Sequence, residues 1–94
     1  MFHWDPHKAE TNAVKHGVSF AEAATVFLDV DALDGPDLKH SAAEVRFRRL
    51  GRSGAGRVLM VAYTRRESGN GEAIRLISAR RASRRERQAY AASD

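Results

Sequence analysis

The sequence predicts an α+β domain: a small antiparallel sheet with two helices before it and one after it. Three observations predict this. Two helix starts stand close together near the front, at Asp5-Pro6 and at Ser19 with Glu22 three residues on. Two apolar runs follow, Val58–Ala62 and Ala73–Ala79, joined through Asn70-Gly71, a strong hairpin signal. A third capping pattern, Ser83 with Glu86, then opens a final helix. Ninety-four residues accommodate one core, so the whole chain, 1–94, reads as a single domain without a linker or internal repeat.

Taken in order, Met1–Trp4 is short, apolar and aromatic, which suits an edge strand. Asp5 then caps a helix with Pro6 in its first turn, where the missing N–H costs nothing, and Gly17 ends it. Ala9, Ala13 and Val14 are its predicted inner residues. Lys8, Asn12 and Lys15 fall on another face at i, i+4 and i+7, which by spacing alone is a solvated stripe. The second helix places Phe20, Ala23, Ala24 and Phe27 on one apolar side and stops near Leu28. From Asp29 to Glu44 the pattern weakens. Val30, Ala32 and Leu33 suit a brief strand, Gly35-Pro36-Asp37 reads as a turn, and Ser41 as the cap of one helical turn.

Val45 and Phe47 alternate with Arg46 and Arg48, the pattern of a half-exposed strand. Gly51–Gly56 is a flexible connection; no Lys-Ser or Lys-Thr follows it, so it is not a nucleotide loop. Val58–Ala62 is continuously apolar, which predicts a central strand covered on both faces. The strand Ala73–Ala79 and the helix from Ser83 complete the layout: a meander of three antiparallel strands with helices at both ends.

Composition narrows the function. There is no cysteine, hence no disulfide framework or thiolate chemistry. No apolar run reaches the length of a membrane span, and the first residues lack a signal-peptide pattern. These features fit a cytoplasmic protein. His3-x3-His7 lacks a third ligand of clear spacing, so no metal site and no cofactor are expected. The charge is divided. Residues 1–44 hold three lysines against eight acids, a net of −5; residues 45–94 hold thirteen arginines against four acids, a net of +9. The planar guanidinium grips phosphate through two parallel hydrogen bonds, so the second half points to a phosphate-bearing partner; an acidic protein is served by the same surface.

The chemistry concentrates in Ala73–Tyr90, AIRLISARRASRRERQAY. Here a strand end delivers Arg80 and Arg81 to the start of a helix, where free N–H groups and the helix dipole favour an anion. Arg84, Arg85 and Arg87, taken singly, read as the wet face of that helix. Arg65 leaves the end of the central strand. With an antiparallel hairpin between them, Arg65 and Arg80 lie at opposite ends of the pair, which counts against one small site holding both; Arg75 lies nearer Arg65. Two chemistries fit. One is cleavage of RNA by its own 2′-hydroxyl, which needs proton transfer and positive charge at the phosphorane. His40, His16, Lys8 and Lys15 are the candidates for the first need, although a lone loop histidine such as His40 is more often a surface hydrogen-bonding group. The other is phosphate binding without catalysis, with affinity falling steeply in salt.

Phe2, Trp4-Asp5-Pro6, Lys8, Asn12, Lys15-His16-Gly17-Val18-Ser19-Phe20 and Phe27 form one block of a known pattern. His40-Ser41, Glu44 and Arg46 form a second, and Gly56-Arg57, Tyr63-Thr64-Arg65, Ile74-Arg75, Ile77-Ser78-Ala79-Arg80, Ala82, Glu86-Arg87 and Tyr90 a third. Over nearly its whole length the chain resembles the BrnT toxins; His3 stands where that family usually has an acid, and residues 66–72 look like a long loop. The resemblance implies a RelE-like fold and a metal-independent ribonuclease of a type II toxin–antitoxin system, which stops growth by cutting RNA. It also implies a DNA-binding antitoxin, BrnA, which neutralises the toxin in a heterotetramer and represses the operon, so that operator DNA is met only through the antitoxin. By this analogy Arg65 and Arg80 lead the catalytic candidates, with Lys8 and His40 beside them. Lys15, His16, Tyr63, Arg75, Arg81 and Arg84 follow as substrate-positioning candidates. The alternative class is a non-catalytic RNA-binding or corepressor module.

Overall fold

The computed structural model describes residues 1–69 and 71–93. Two helices, α1 (Pro6–His16) and α2 (Phe20–Thr25), lie on one face of a five-stranded sheet built from β1 (Phe2–His3), β2 (Leu33–Pro36), β3 (Arg46–Arg52), β4 (Val58–Ser68) and β5 (Gly71–Arg81). The strand order is β1-β5-β4-β3-β2. All pairs are antiparallel except β1 with β5. A last helix, α3 (Arg84–Ala92), follows β5. The predicted three-strand meander is therefore the middle of the sheet, extended by an edge strand on each side. No helix among the described residues is long and apolar enough to cross a membrane.

The helix ends follow the capping chemistry. Asp5 accepts from the His7 and Lys8 N–H groups at 2.8 and 3.4 Å, and Gly17 closes α1 at φ 68°, a conformation that a Cβ would penalise. Ser19 accepts from Glu22 N at 3.0 Å. The return half of that box is not made, because the Glu22 carboxylate is taken by Ser53 Oγ and Arg57. Only the Ser83–Glu86 box of α3 is complete. The inner face of α1 differs from the prediction. Ala13 and Val14 are exposed, and Asn12 occupies the buried position. Its amide donates to Val18 O and Ala79 O and accepts from Ala79 N, so a side chain does for β5 what a neighbouring strand would do. β1 is too short to reach that far.

The core is Val18, Phe20, Ala23 and Val26 from the helical side, packed on Leu59, Val61, Tyr63, Leu76 and Ala79 from the sheet. In β4 the buried residues alternate with the half-buried Val58, Met60 and Ala62. The strand expected to be covered on both faces is thus fully covered on one. Helices α1 and α2 take that side, and the opposite face stays open apart from α3. Gly35-Pro36, read as a turn, ends edge strand β2, a position where a missing N–H is tolerated. Ser41 does not open a helical turn; it closes the short 3-10 turn Leu38–His40, with its Oγ donating to Asp37 O and accepting from Arg46 N. Residues 66–72 are mostly paired strand rather than loop, with Arg66 opposite Ala73 and Glu67 opposite Glu72. The predicted turn residue Asn70 lies outside the described residues.

Candidate active site

Side chains alternate along a strand, so register decides which residues share a face. On the open face, Arg48, Ala62 and Ser78 form one cross-strand row, and Leu50, Met60 and Arg80 the next. Strand β5 carries one extra residue, Ile77, between the pairs Ser78–Ala62 and Leu76–Tyr63. This bulge restores Arg75, opposite Thr64, to the same face as Ser78 and Arg80, although an odd spacing separates them. The Leu38–His40 turn closes over the row from the β2 side. Between them lies a hollow of about 270 Å³, lined by Asp37, His40, Arg46, Arg48, Ser78 and Arg80 above the aliphatic floor of Met60 and Ala62.

Each polar group in it is held differently. His40 Nδ1 lies 2.9 Å from Asp37 Oδ2, and the imidazole is exposed. Burial works against ionisation of Asp37, yet the hydrogen bond from His40 and the charges of His40 and Arg48 outweigh it and hold its carboxyl below the usual range. Arg80 donates from both terminal nitrogens to Glu86, at 2.7 and 3.0 Å, and Arg48 reaches the same carboxylate at 3.4 Å. The Arg80 hydrogen bonds, against partial burial and with help from Ser83 N, hold Glu86 down to about 2. Arg46 makes no ion pair among the described residues. The hollow thus offers one imidazole fixed by a carboxylate, one free guanidinium and two guanidiniums sharing a carboxylate.

Of the candidates named from the sequence, this hollow brings together only Arg80 and His40. Arg65 is opposite Ile74, on the helix-bearing face, at the far end of the β4–β5 pair from Arg80. Its guanidinium lies over the Phe47 ring at 4.5 Å and donates to Tyr63 Oη at 3.3 Å, with Asp34 and Glu72 at 3.9 and 4.0 Å. The idea of one site holding both arginines does not survive this geometry, because strand alternation turns them to opposite faces. Tyr63 is fully buried, between Phe27 and Phe47, so it cannot touch a substrate. Burial, then its hydrogen bond to Asp34, pushes its hydroxyl up to about 12. Arg75 shares the open face, in the row of Arg46 and Thr64, but does not line the hollow. Arg81 and Arg84 lie at the start of α3, exposed and without a carboxylate partner among the described residues.

Lys8, Lys15 and His16 line a separate groove between α1 and the uncovered stretch of β5, with Thr11, Ile77 and Ser78. Ser78 borders both this groove and the arginine hollow, so the two are neighbours across one strand. Asn12, the middle of the supposed solvated stripe, is structural. Among the described residues no group of three or more His, Cys, Asp or Glu is placed to hold a metal ion.

Sequence reasoning missed five residues of the hollow or its supports. Arg46 and Arg48 read only as the wet side of a strand, and Ser78 as part of an apolar run. Glu86 read only as a cap. Asp37 was absorbed into a turn, although the Asp37-x-x-His40 spacing signals a carboxylate within reach of an imidazole.

Comparison with known proteins agrees with the fold. The family profile described as "Ribonuclease toxin, BrnT, of type II toxin-antitoxin system" matches residues 4–86. The crystal structure of the Brucella abortus ribonuclease toxin BrnT is similar, with a TM-score of 0.64 and 29% sequence identity over 89% of this chain and 99% of that one. No curated protein matches the sequence. The matched region takes in both early helices, all the strands that build the hollow and the helix start that supplies Glu86, and so the chain belongs to the BrnT family of ribonuclease toxins of type II toxin–antitoxin systems.

Proposed function

We propose that this protein cleaves RNA at the open-face hollow, without a metal ion, by making the 2′-hydroxyl attack the adjacent phosphate. The observation that carries this is the convergence of His40, oriented by Asp37, with Arg46, Arg48 and Arg80 on one hollow. An ionised Asp37 favours the proton on Nδ1 and leaves Nε2 bare to act as base. Nε2 takes the 2′-hydroxyl proton, O2′ bonds to phosphorus, and the P–O5′ bond breaks. The leaving oxygen takes a proton from water at the exposed rim. Products are a 2′,3′-cyclic phosphate and a 5′-hydroxyl. The negative charge that builds on the phosphorane oxygens meets guanidiniums already in place, which is the electrostatic part of catalysis. Arg46 is free to receive it; Arg48 and Arg80 are kept in a fixed fork by Glu86 and present their remaining donors.

The Lys8–Lys15–His16 groove, continuous with the hollow at Ser78, then positions the flanking strand, and Arg75, Arg81 and Arg84 extend the same field. Arg65 and Tyr63 serve the site from beneath, by ordering the aromatic end of the sheet. In the cell the activity inhibits translation and growth in the cytoplasm. A BrnA-like antitoxin neutralises it in a heterotetramer and carries the pair to operator DNA. A second reading, a non-catalytic RNA-binding or corepressor module, draws on one observation: Glu86 already occupies both terminal nitrogens of Arg80.

Incubating the purified protein with labelled RNA, with and without a chelator, separates the two. We expect cyclic-phosphate products whose yield is insensitive to chelation, with His40→Ala slowing cleavage by about 10²–10⁴-fold, the usual worth of a general base. Tight, salt-sensitive binding with intact RNA establishes the module instead. Induction of the chain alone in a bacterium arrests growth on the first reading, and co-expression of the antitoxin relieves it.

A further inference from the structure

Beyond α3 lies a second hollow, larger than the first at about 510 Å³, which the cleavage reaction does not use. Arg52, Arg57, Arg81 and Arg87 line it, with the Tyr90 ring and the small apolar surfaces of Val58 and Ala82. Among the described residues no carboxylate lines it; the two nearest are engaged behind the wall, Glu22 by Arg57 and Ser53 Oγ, and Asp29 by Tyr90 Oη and Arg52 N. Arg81 and Arg87 make no ion pair among the described residues, and both are exposed. Arg52 donates to Gly56 O at 3.0 Å and lies 5.7 Å over the Tyr90 ring, whose hydroxyl is fixed to Asp29 at 2.6 Å. Arg87 gives Nη1 to Ala82 O at 2.8 Å, so the wall combines Arg81 and the remaining donors of Arg87 and Arg52 with an anchored aromatic ring and an apolar floor. That combination suits a phosphate with its attached nucleoside, the cation for the charge and the flat groups for the base.

Its place in the fold selects the ligand. Arg80 and Arg81 are consecutive, ~3.8 Å apart at Cα, yet one lines the first hollow and the other the second. Helix α3 is the wall between them, presenting Glu86 to one side and Arg87, Tyr90 and Ala91 to the other. Arg84 and Arg85 stand exposed on its first turn, without carboxylate partners among the described residues. A cationic ridge thus leads out of the first hollow into the second. We propose that the second hollow is an accessory subsite that grips a phosphate and stacks a base of the RNA strand a few nucleotides from the bond being cut. The proposal rests on the ribonuclease reading, but its binding term stands apart from cleavage.

The test compares the wild type with Arg81→Ala, which breaks no bond to the fold, and with Arg81→Ala/Arg87→Ala, which also removes the bond to Ala82 O and is checked by thermal melting, using a 2′-O-methyl RNA dodecamer and trimer that cannot be cut. The expected result for the double variant is a dodecamer affinity about tenfold weaker relative to the trimer, with the log–log salt slope reduced by about 1.4, the share of two phosphate contacts on a single strand. His40→Ala leaves that dodecamer preference in place whether or not the wild type cleaves RNA, which separates failure of the subsite from failure of the ribonuclease reading. An unchanged dodecamer-to-trimer ratio overturns the subsite. So does a variant that binds RNA normally but no longer captures its co-expressed antitoxin, since the hollow would then belong to an acidic protein segment.

Discussion

Replacing Glu86 by Gln removes one charge and little else, because glutamine also closes a capping box with Ser83. The magnitude follows from the site. Glu86 is held from the ordinary 4.5 to about 2, chiefly by Arg80. At ~1.4 kcal/mol per unit this sets a ceiling of ~3 kcal/mol. The Arg80 side chain is 40% exposed, so solvent screens the pair, and about 1–2 kcal/mol is the reasonable share. For a domain of this size that amounts to roughly 4–16 °C in Tm. The pH dependence has a definite sign. A carboxyl whose pKa is depressed on folding binds its proton more weakly in the native state, so its stabilisation is complete above ~4.5, the unfolded value, and drains away as pH falls toward about 2. Urea denaturation of wild type and Glu86→Gln from pH 7 down to pH 2 reads this directly. The gap is expected to be widest at neutral pH and to close through the acid range. A gap that stays constant over that range, or a variant as stable as wild type at pH 7, refutes the charge-clamp reasoning. The same variant puts an amide donor where Glu86 Oε2 accepted, which frees Arg80 Nη2 and Arg48 Nη2 while the amide oxygen keeps Ser83 N and Arg80 Nη1, so RNA affinity at low salt should rise.

Three further outcomes test the scaffold. Gly51→Ala should cost about 1–3 kcal/mol by overpacking, since its Cβ would stand 2.8 Å from Val26 Cγ1 and 2.9 Å from Ala32 Cβ; thermal melting checks it. Asn12→Ala strips Val18 O, Ala79 O and Ala79 N of buried partners and should cost ~3 kcal/mol, with faster amide exchange at Ala79 as its mark. Tyr63→Phe leaves Asp34 without its shortest bond and should cost ~1–2 kcal/mol in urea, with Arg65 loosened above the Phe47 ring.

What was legible in the sequence is what local chemistry decides. Asp5-Pro6, Gly17, Ser19 and the Ser83–Glu86 box set helix ends within a few residues of themselves, and all lie at helix ends in the fold. Phe20 and Ala23 needed only helical periodicity. The site needed pairing. Arg46, Arg48, Ser78 and Arg80 come together because β3, β4 and β5 align Arg48 with Ala62 and Ala62 with Ser78, and no spacing within one segment encodes that. The extra residue Ile77 shifts the alternation midway through β5, so even a correct strand assignment would put Arg75 or Ser78 on the wrong face. Asn12 was misread because a polar residue between lysines looks solvated; only the short reach of β1 shows why an amide is wanted there.

The division of charge along the sequence acquires a structural meaning from these pairings. The acids of the first half do not form a separate acidic surface. Asp34 binds Arg49 and stands near Arg65, Glu22 binds Arg57, and Glu44 binds Arg66, while Asp37 fixes His40. The arginine pairs join sequence-distant segments and commit those arginines to the fold, whereas Asp37–His40 is local, three residues apart. The arginines left without a carboxylate among the described residues are Arg46, Arg52, Arg75, Arg81, Arg84, Arg85 and Arg87. Arg46 and Arg75 lie on the open face, Arg84, Arg85 and Arg87 on α3, and Arg52 and Arg81 at the sheet end beside it. A guanidinium neutralised by a carboxylate contributes little to the attraction of a polyanion, whereas an unpaired one contributes nearly its full charge. The acids of the first half therefore take Arg49, Arg57, Arg65 and Arg66 out of the field, and the unpaired arginines divide between the open face, where His40 lies, and the sheet end beside α3.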